Sequence, residues 1–249
     1  MERFYLKIKV LQIGGIKMNR IGIIGAMDEE VDILKELMNI EETIEKASLK
    51  FYVGKLEDKS VILVRCGIGK VNAALCTQIL ISEFNVGAVI NTGVAGALHD
   101  ELDVFDIVIS TDTLHHDFDV TAFGHELGII PRMETSVFKA DDRLVKIAYD
   151  SSVEIVKGHK VLKGRVVSGD IFVSNKEIKE KLVNQLNGYC TEMEGAAIGH
   201  TCYLNNVPFV IIRAMSDKAD GSADVNFNEF VNKAAHNSKD IVLNMIKKI

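Results

Sequence analysis

Apolar residues along this chain fall into short continuous runs that alternate with segments of helical spacing. The runs are rich in β-branched residues, which predicts buried strands; they cover residues 20–24, 88–91, 106–110, 161–168 and 208–215. Segments in which apolar residues recur at helical spacing follow several of these runs, at residues 28–38, 71–84, 141–149, 176–186 and 228–249. Two β-rich runs, 51–56 and 60–66, flank a short polar turn and predict a hairpin. The chain is therefore predicted to have an α/β fold that is not a pure βαβ repeat.

Candidate chemistry is densest in residues 191–217. This stretch predicts one helix followed by one buried strand, and its polar side chains gather at the two ends: Glu192, Glu194, Arg213, Ser216 and Asp217. Open α/β sheets place their ligand sites at the carboxyl ends of strands, which is where Asp217 stands. A structural interpretation stays open, since Asp and Ser after a strand often cap the next helix.

The first predicted helix begins with three acidic residues, Asp28, Glu29 and Glu30, directly after a strand. Acidic side chains in a first turn usually face solvent and complement the helix dipole, which we expect of Asp28 and Glu29. Glu30 lies nearest the apolar face of the helix and is the carboxylate with a candidate role. The turn before it lacks G-x-G-x-x-G, which disfavours a dinucleotide-binding site.

Small or planar residues at other strand ends are candidates for ligand contact. Residues 92–97 are small, so a ligand could approach the backbone at Ala95 and Gly96, with tight helix–sheet packing as the alternative. Phe172 follows a predicted strand and either stacks on a planar ring or belongs to the core. The glycines of the loop 67–70 are too generic to specify an anion site, and a simple turn is expected there.

Composition narrows the class of protein and its partners. The chain has 249 residues, 47% of them hydrophobic and 26% charged, with only 2 Pro, which predicts one globular domain without a disordered linker. A net charge of -6 without a basic run argues against nucleic acid, and no apolar run reaches the roughly 18 residues of a membrane span. The 4 cysteines lack C-x-x-C spacing, so neither a zinc site nor a disulfide framework is indicated, and reduced thiols in the cytoplasm are expected.

Two segments carry narrower expectations. His115 and His116 precede Asp117, but adjacent side chains on an extended chain point to opposite sides, so no metal site is predicted there. Residues 1–17 carry Arg and Lys through their apolar positions and make a poor signal peptide. Our hypothesis is that Met18 is the natural start.

The segment at 120–133 has no clear period and is long for a loop without secondary structure. Phe123, Ile129, Ile130 and Pro131 would be costly to expose on a monomer. The loop therefore predicts contact with a partner subunit.

Six motifs stand in order along the chain: G-I-I-G-A-M-D-E-E-V at 22–31, N-T-G-V-A-G-A-L at 91–98, H-D-F-D-V-T-A-F-G at 116–124, V-S-G-D-I-F at 167–172, E-M-E-G-A-A-I at 192–198 and R-A-M-S-D at 213–217. Together they resemble the 5′-methylthioadenosine/S-adenosylhomocysteine nucleosidases. The resemblance covers residues 18–249, the expected nucleosidase domain, and leaves 1–17 as an extension. It implies a single domain of the nucleoside-phosphorylase fold, with a mixed central sheet flanked by helices. It also implies a homodimer that hydrolyses the N-glycosidic bond of these nucleosides to release adenine, without a cofactor.

The resemblance implies three roles for carboxylates. Glu30 matches the catalytic acidic residue of the family, Asp217 the residue that serves the purine N7, and Glu194 the residue that binds the ribose hydroxyls. A phosphorylase of the same superfamily must hold a phosphate dianion, which calls for Arg or a nest of N–H groups. A carboxylate at Glu30 repels phosphate but accepts a proton from water, so water is the expected nucleophile. Protonation of the leaving adenine near neutral pH requires a raised pKa at Asp217.

The remaining matches to the family concern substrate contacts. Met193 would lie against the sugar, Phe172 would stack on adenine, and the Val173 backbone would read the edge of the base. Ser216 and Arg213 would orient the site, and Phe227 would form part of its apolar wall. Three residues would reach the 5′-substituent pocket of the neighbouring subunit: Val120, Phe123 and Pro131. Val94 departs from the family, which often has Ser there, so only backbone contacts are expected of it.

Three other functions stay open at this point. A related nucleosidase acting on futalosine or aminofutalosine would use a similar site, and a purine nucleoside phosphorylase would require phosphate. A nucleoside-binding protein without catalysis is the alternative outside enzymes. Binding alone, however, requires neither a base nor an acid on the two sides of one bond.

Overall fold

The computed structural model describes residues 20–249, apart from five side chains, those of residues 224–226, 228 and 229. The hypothesis that Met18 is the natural start, with an extension at 1–17, lies outside the described residues. No helix in the described part of the chain is long and apolar enough to cross a membrane.

The elements follow one another in a mixed order of strands and helices. The strands are β1 (Ile21–Gly25), β2 (Asn39–Lys46), β3 (Leu49–Leu56), β4 (Lys59–Arg65), β5 (Ala88–Ala97), β6 (Ile107–His115), β7 (Phe138–Lys139), β8 (Val161–Ser168), β9 (Gly188–Glu192) and β10 (Phe209–Asp217). The helices are α1 (Asp28–Leu37), α2 (Lys70–Ser82), α3 (Asp142–Ile155), α4 (Lys176–Leu186), α5 (Gly195–Asn205) and α6 (Ala223–Lys248), with a short 3₁₀ turn at Thr121–Phe123.

All these strands belong to one mixed sheet. β5 pairs parallel with β1 and β10, and antiparallel with β9. Beyond β1 the sheet continues through β4, β3 and β2. β1 pairs parallel with β4, whereas β4 with β3 and β3 with β2 pair antiparallel. On the other side, β10, β6, β8 and β9 pair in turn and return to β5, which closes a ring of five strands. The predicted mixed sheet flanked by helices is confirmed.

The strand β5 changes partners halfway along one of its edges. β1 pairs with its first part as far as Asn91, and β9 pairs with it only from Gly96. No described strand pairs with residues 92–95 on this edge, although β10 pairs along the whole of the other edge. The sheet therefore opens at this point, between the ends of β1 and β9.

Helices cover the sheet in two groups. α1 and α3 both pack against α6, and α2 packs against α5. β1, β5 and β10 are buried along their whole length, as their apolar sequences require once both faces are covered.

The sequence predicted most of the strands and helices, but not the strands β2, β7 and β9. The predicted strand at 88–91 is too short, because β10 pairs with β5 as far as Gly96 and β9 pairs with Ala97, so the small residues 92–97 belong to the strand. β2 was not predicted, since nearly all its residues are exposed and it lacks an apolar face. β9 was not predicted either, because its sequence G-Y-C-T-E contains no apolar, β-branched run.

Candidate active site

A cavity of about 460 Å³ opens at the break along β5. β5 and β10 are parallel neighbours, so their carboxyl ends reach the same edge of the sheet, where α/β folds place ligands. Nine of the residues predicted for the site line this cavity: Glu30, Ala95, Gly96, Phe172, Met193, Glu194, Ser216, Asp217 and Phe227. The structure therefore brings together residues from both ends of the chain.

Glu30 is held in place by backbone donors. Its Oε2 accepts hydrogen bonds from the N–H groups of Ala26 (2.6 Å) and Met27 (3.1 Å), and its Oε1 accepts one from Val94 N–H (3.1 Å). Val94 can offer its N–H because it lies on the unpaired part of the β5 edge. Burial raises the pKa of Glu30, while the Arg213 guanidinium and these donors oppose the rise. The carboxylate is thus oriented in a partly desolvated position.

Arg213 is fully buried and is the charge around which the acidic residues are arranged. Its Nη2 donates to Asn91 Oδ1 (2.6 Å), forms an ion pair with Glu192, and lies 3.6 Å from Glu194 Oε2. Burial would lower the pKa of this guanidinium, but the carboxylates of Glu192, Glu194 and Glu30 raise it. Arg213 does not line the cavity, so it acts on the site from behind.

Gly93 makes room for this arrangement. A Cβ atom at this position would lie 2.1 Å from Arg213 Nη1 and 2.5 Å from Glu30 Oε1. Only glycine therefore allows the guanidinium and the carboxylate to approach β5 so closely.

Glu192 is the direct counter-ion of Arg213 and also anchors the start of α5. It accepts hydrogen bonds from the Ser168 hydroxyl and from the N–H groups of Glu194 (3.1 Å) and Gly195 (2.8 Å). Burial would raise its pKa, but Arg213 and these donors outweigh burial, and the pKa is lowered. Glu192 is thus charged and fully engaged within the protein.

Glu194 has a different environment although it is two residues away. Its Oε1 accepts a hydrogen bond from Gly69 N–H (2.9 Å). Burial and the neighbouring negative charge of Glu192 raise its pKa to about 8, against the effect of Arg213 and the Gly69 donor. The loop 67–70, expected to be a simple turn, therefore contributes to the site.

Asp217 ends β10 and is buried at the cavity wall. Its Oδ1 accepts from Ala219 N–H (2.8 Å) and its Oδ2 from the Ser216 hydroxyl (2.8 Å). Burial raises its pKa against the effect of these two donors. Gly96 allows the approach, since a Cβ there would lie 2.8 Å from Asp217 Oδ1.

Apolar side chains complete the walls of the cavity. The rings of Phe172 and Phe227 meet edge to face, with centroids 5.8 Å apart, and Phe172 is 46% exposed. Val173 lines a small recess that adjoins the main cavity. Ile68 is a lining residue that the sequence did not indicate.

The loop at 120–133 stands apart from this cavity in the single chain. Val120, Phe123 and Pro131 are not among its lining residues, and Phe123 is 84% exposed. Asp28 and Glu29 are exposed, as predicted. Among the described residues, no group of three or more His, Cys, Asp or Glu side chains is placed to hold a metal ion.

Comparisons with known proteins agree on one family. Residues 20–247 match the model of the phosphorylase superfamily. The chain is 46% identical over 231 residues to a 5′-methylthioadenosine/S-adenosylhomocysteine nucleosidase of Staphylococcus haemolyticus, covering 91% of this chain and 99% of the relative. The crystal structure of the nucleosidase of that name from Neisseria meningitidis, in complex with methylthio-immucillin-A, is similar at a TM-score of 0.88 and 41% identity, over 93% of this chain and 100% of the other. A futalosine hydrolase of Helicobacter pylori is similar at a TM-score of 0.88 and 33% identity, over 93% and 99% of the two chains.

Proposed function

Since the chain belongs to the 5′-methylthioadenosine/S-adenosylhomocysteine nucleosidases of the phosphorylase superfamily, we propose that it hydrolyses the N-glycosidic bond of these two nucleosides. Membership of this family makes the protein an N-glycosyl hydrolase. The observation that carries the proposal is that Glu30, Glu194 and Asp217, far apart in the chain, line one cavity.

Glu30 is the proposed base. Its two oxygens are held by three backbone N–H groups, and these donors and Arg213 favour its ionised form against the effect of burial. Burial makes this carboxylate a stronger proton acceptor than one in water. Glu30 takes a proton from a water molecule while the water oxygen bonds to the anomeric carbon.

Asp217 is the proposed acid. The electron pair of the broken glycosidic bond moves to adenine, which leaves more readily when a proton is delivered to N7. Burial raises the pKa of Asp217 and so favours the protonated form that can donate. The proton accepted by Glu30 and the proton given by Asp217 balance over the reaction.

Glu194, Met193 and Phe172 are the proposed substrate contacts. Carboxylate oxygens suit the two vicinal hydroxyls of ribose, and Glu194 lines the cavity with one backbone donor, Gly69 N–H, at its Oε1. The half-exposed ring of Phe172 offers a face on which adenine can stack. Val173 adjoins this ring in the neighbouring recess, where its backbone can meet the edge of the base.

The charge of the cavity favours water over phosphate as the nucleophile. Four of its described lining residues are carboxylic acids, and none is Lys, Arg or His. Arg213 is buried behind the wall and engaged with Asn91 and Glu192. A phosphate dianion would therefore meet negative charge without a free cation to bind it.

A futalosine-type nucleoside is the second candidate substrate. The similarity to a futalosine hydrolase of Helicobacter pylori supports it, because the TM-score of 0.88 equals that of the Neisseria nucleosidase. The higher sequence identity, 41% against 33%, favours methylthioadenosine and S-adenosylhomocysteine.

We also propose that the protein acts as a homodimer in the cytoplasm. Phe123 in the 120–133 loop is highly exposed, as are Val71 on α2 and Leu204 on α5, two helices that pack together. Apolar side chains of this size are usually covered in the working protein. A second copy would cover them, with Val120 and Pro131 also reaching its cavity. The four cysteines are free, buried thiols, as suits a reducing compartment.

The first experiment is the release of adenine from methylthioadenosine and S-adenosylhomocysteine, with and without phosphate, beside aminofutalosine and inosine. We expect adenine from both nucleosides at a rate that phosphate leaves unchanged, with the free thioribose as the second product. Turnover that requires phosphate would make the protein a phosphorylase, and turnover of aminofutalosine alone would favour the second candidate.

The role of Glu30 is tested by two neighbouring substitutions of the same kind. We expect Glu30→Gln to lower kcat ~10²–10⁴-fold, the usual contribution of a general base. Glu29→Gln is the control, because Glu29 is adjacent, identical in type and exposed. Equal activity of the two variants would remove Glu30 from the mechanism.

A further inference from the structure

Three loops beside the cavity are tied together by contacts that lie outside its lining. Lys70 Nζ forms an ion pair with Asp117 Oδ1 at 2.6 Å. Asp117 Oδ2 accepts a hydrogen bond from Asp170 N–H (3.0 Å), and Asp170 Oδ1 accepts one from Lys70 N–H (2.8 Å). Each residue of this Lys70–Asp117–Asp170 network therefore contacts both of the others.

The network differs from an ordinary surface ion pair. The side chains of Lys70 and Asp117 are only 22% and 15% exposed, so solvent screens their attraction less than it would on an open surface. Burial would raise the pKa of Asp117, but the Lys70 ammonium and the Asp170 N–H outweigh burial and lower it. The Asp117 carboxylate thus stays charged at neutral pH.

Gly69 connects this network to the cavity. It precedes Lys70, has a φ of +99°, and a Cβ there would lie 3.0 Å from Asp170 Oδ1. Its N–H is the donor to Glu194 Oε1 at 2.9 Å. Gly67 also has a positive φ, so two glycines leave the backbone before α2 with many accessible conformations. Contacts from outside the loop are needed to hold the loop in a single conformation.

We propose that Lys70 is a positioning residue for ribose recognition, which it serves by holding the Gly69 N–H against Glu194. The inference rests on the proposed function only in taking Glu194 as the ribose-binding residue. When the ion pair with Asp117 is removed, the backbone bond of residue 70 to Asp170 is left to hold the loop, and the donor to Glu194 is less firmly fixed. A hydrogen bond to a charged group is worth about one power of ten or more in an equilibrium constant.

The test substitution is Lys70→Met, which removes the charge and keeps the length of the side chain. We expect the KM for methylthioadenosine to rise ~10-fold, with a smaller change in kcat, since the lost interaction serves ground-state binding. The dissociation constant of adenine should not change, because adenine has no ribose and the contact of Asp117 with the Asp170 loop remains. General damage to the site would weaken both ligands.

Lys46→Met is the matched control. Lys46 Nζ forms an ion pair with Glu83 Oε2 at 2.7 Å, and Glu83 caps the other end of the same helix, α2. The control therefore removes a lysine that also ties one end of α2 to another element, far from Glu194 in the chain. We expect wild-type kinetics from Lys46→Met. Lys70→Arg keeps the positive charge and should retain most of the affinity for methylthioadenosine that Lys70→Met loses.

A double-mutant cycle tests whether Lys70 acts through Glu194. In a Glu194→Ala background, Lys70→Met should cause no further rise in KM. A full additional effect in that background, or kinetics of Lys70→Met that equal those of Lys46→Met, would overturn the inference. If the wild-type enzyme does not turn methylthioadenosine over, the proposed function fails instead. The comparison of Lys70→Met with wild type is then made on binding of adenosine against adenine, and equal loss or no loss for both ligands would again overturn the inference.

Discussion

Replacing Arg213 by Met removes a buried cation that faces three carboxyl groups. Arg213 forms a direct ion pair with Glu192, lies 3.6 Å from Glu194, and lowers the pKa of Glu30. Met fills a similar volume with an apolar side chain, so the main effect is the loss of charge rather than a cavity. Asn91 Oδ1 also loses its donor.

The expected loss of stability is large. Removal of one partner from a buried ion pair typically costs about 3–5 kcal/mol, because the other charge stays buried without compensation. The unpaired amide oxygen of Asn91 adds a cost of about 1–3 kcal/mol when counted alone, but the two effects share one network and do not add fully. We therefore expect a loss of about 3–5 kcal/mol in the free energy of unfolding at pH 8.

The loss should depend on pH in a defined direction. In the wild type, the lowered pKa of Glu192 contributes stability above its unfolded value, which is lost as the pH falls through the folded value. Without Arg213, burial dominates and raises the pKa of Glu192. Its contribution then favours folding at low pH and is lost as the pH rises. The difference in the free energy of unfolding between wild type and variant is therefore larger at pH 8 than at pH 5.

Urea denaturation followed by far-UV circular dichroism measures this effect, since the chain has no Trp for fluorescence. Arg65→Met is the control, because Arg65 pairs with Asp28 at 2.9 Å with both side chains more than half exposed. Exposed pairs of this kind contribute about 0–1 kcal/mol. A loss at Arg213→Met as small as the control, or one that does not grow from pH 5 to pH 8, would refute the account of the buried charges.

Two further predictions concern the pKa shifts in the cavity. Asp217→Asn should lower kcat ~10²–10⁴-fold as the acid is lost, while Asp142→Asn, at an exposed aspartate in the first turn of α3, should leave it unchanged. Because burial raises the folded pKa of Asp217, the wild type loses stability as the pH rises through that value. The melting temperature of Asp217→Asn, measured relative to that of the wild type, should therefore increase from pH 5 to pH 8. A decrease would contradict the raised pKa. Burial and the charge of Glu192 raise the pKa of Glu194 to about 8, whereas two ribose hydroxyls favour its ionised form, so nucleoside binding at pH 7 should release up to about one proton. Calorimetry of Asp217→Asn in two buffers of different ionisation enthalpy measures the release, which should be absent with adenine; equal release with both ligands would exclude Glu194 as its source.

The sequence predicted the elements whose burial is visible in their composition. β1 and β10 were readable as apolar, β-branched runs, and α1 and α4 from their helical spacing. β2 has almost no buried residue to mark it, and its pairing with β3 is a property of the backbone. Burial along a strand can be read from composition, whereas pairing at an exposed edge cannot.

The candidate site was predicted in its residues but not in its contacts. Asp217 follows a buried strand, so its place at a strand end was readable. The contact of Glu30 with Val94 was not, because it depends on where β1 ends and β9 begins along β5. Gly69 carries no local signal for its bond to Glu194, 125 residues away. Such contacts come from the register of the sheet, to which distant parts of the chain contribute.

The distribution of charge explains how four carboxylic acids in one cavity can serve different purposes. Arg213 forms a direct ion pair with Glu192, and the pKa of Glu192 is lowered. Glu194 lies farther from the guanidinium, and Asp217 is not an ion-pair partner of Arg213. The pKa values of Glu194 and Asp217 are both raised. One carboxylate is thereby fixed as the counter-ion, whereas burial favours the protonated form of Glu194 and Asp217. Hydrolysis of a glycosidic bond needs a base and an acid at the same pH, which requires environments that differ over short distances. A buried guanidinium at unequal distances from its neighbours, with Glu30 held beside it over Gly93 by three N–H groups, creates that difference.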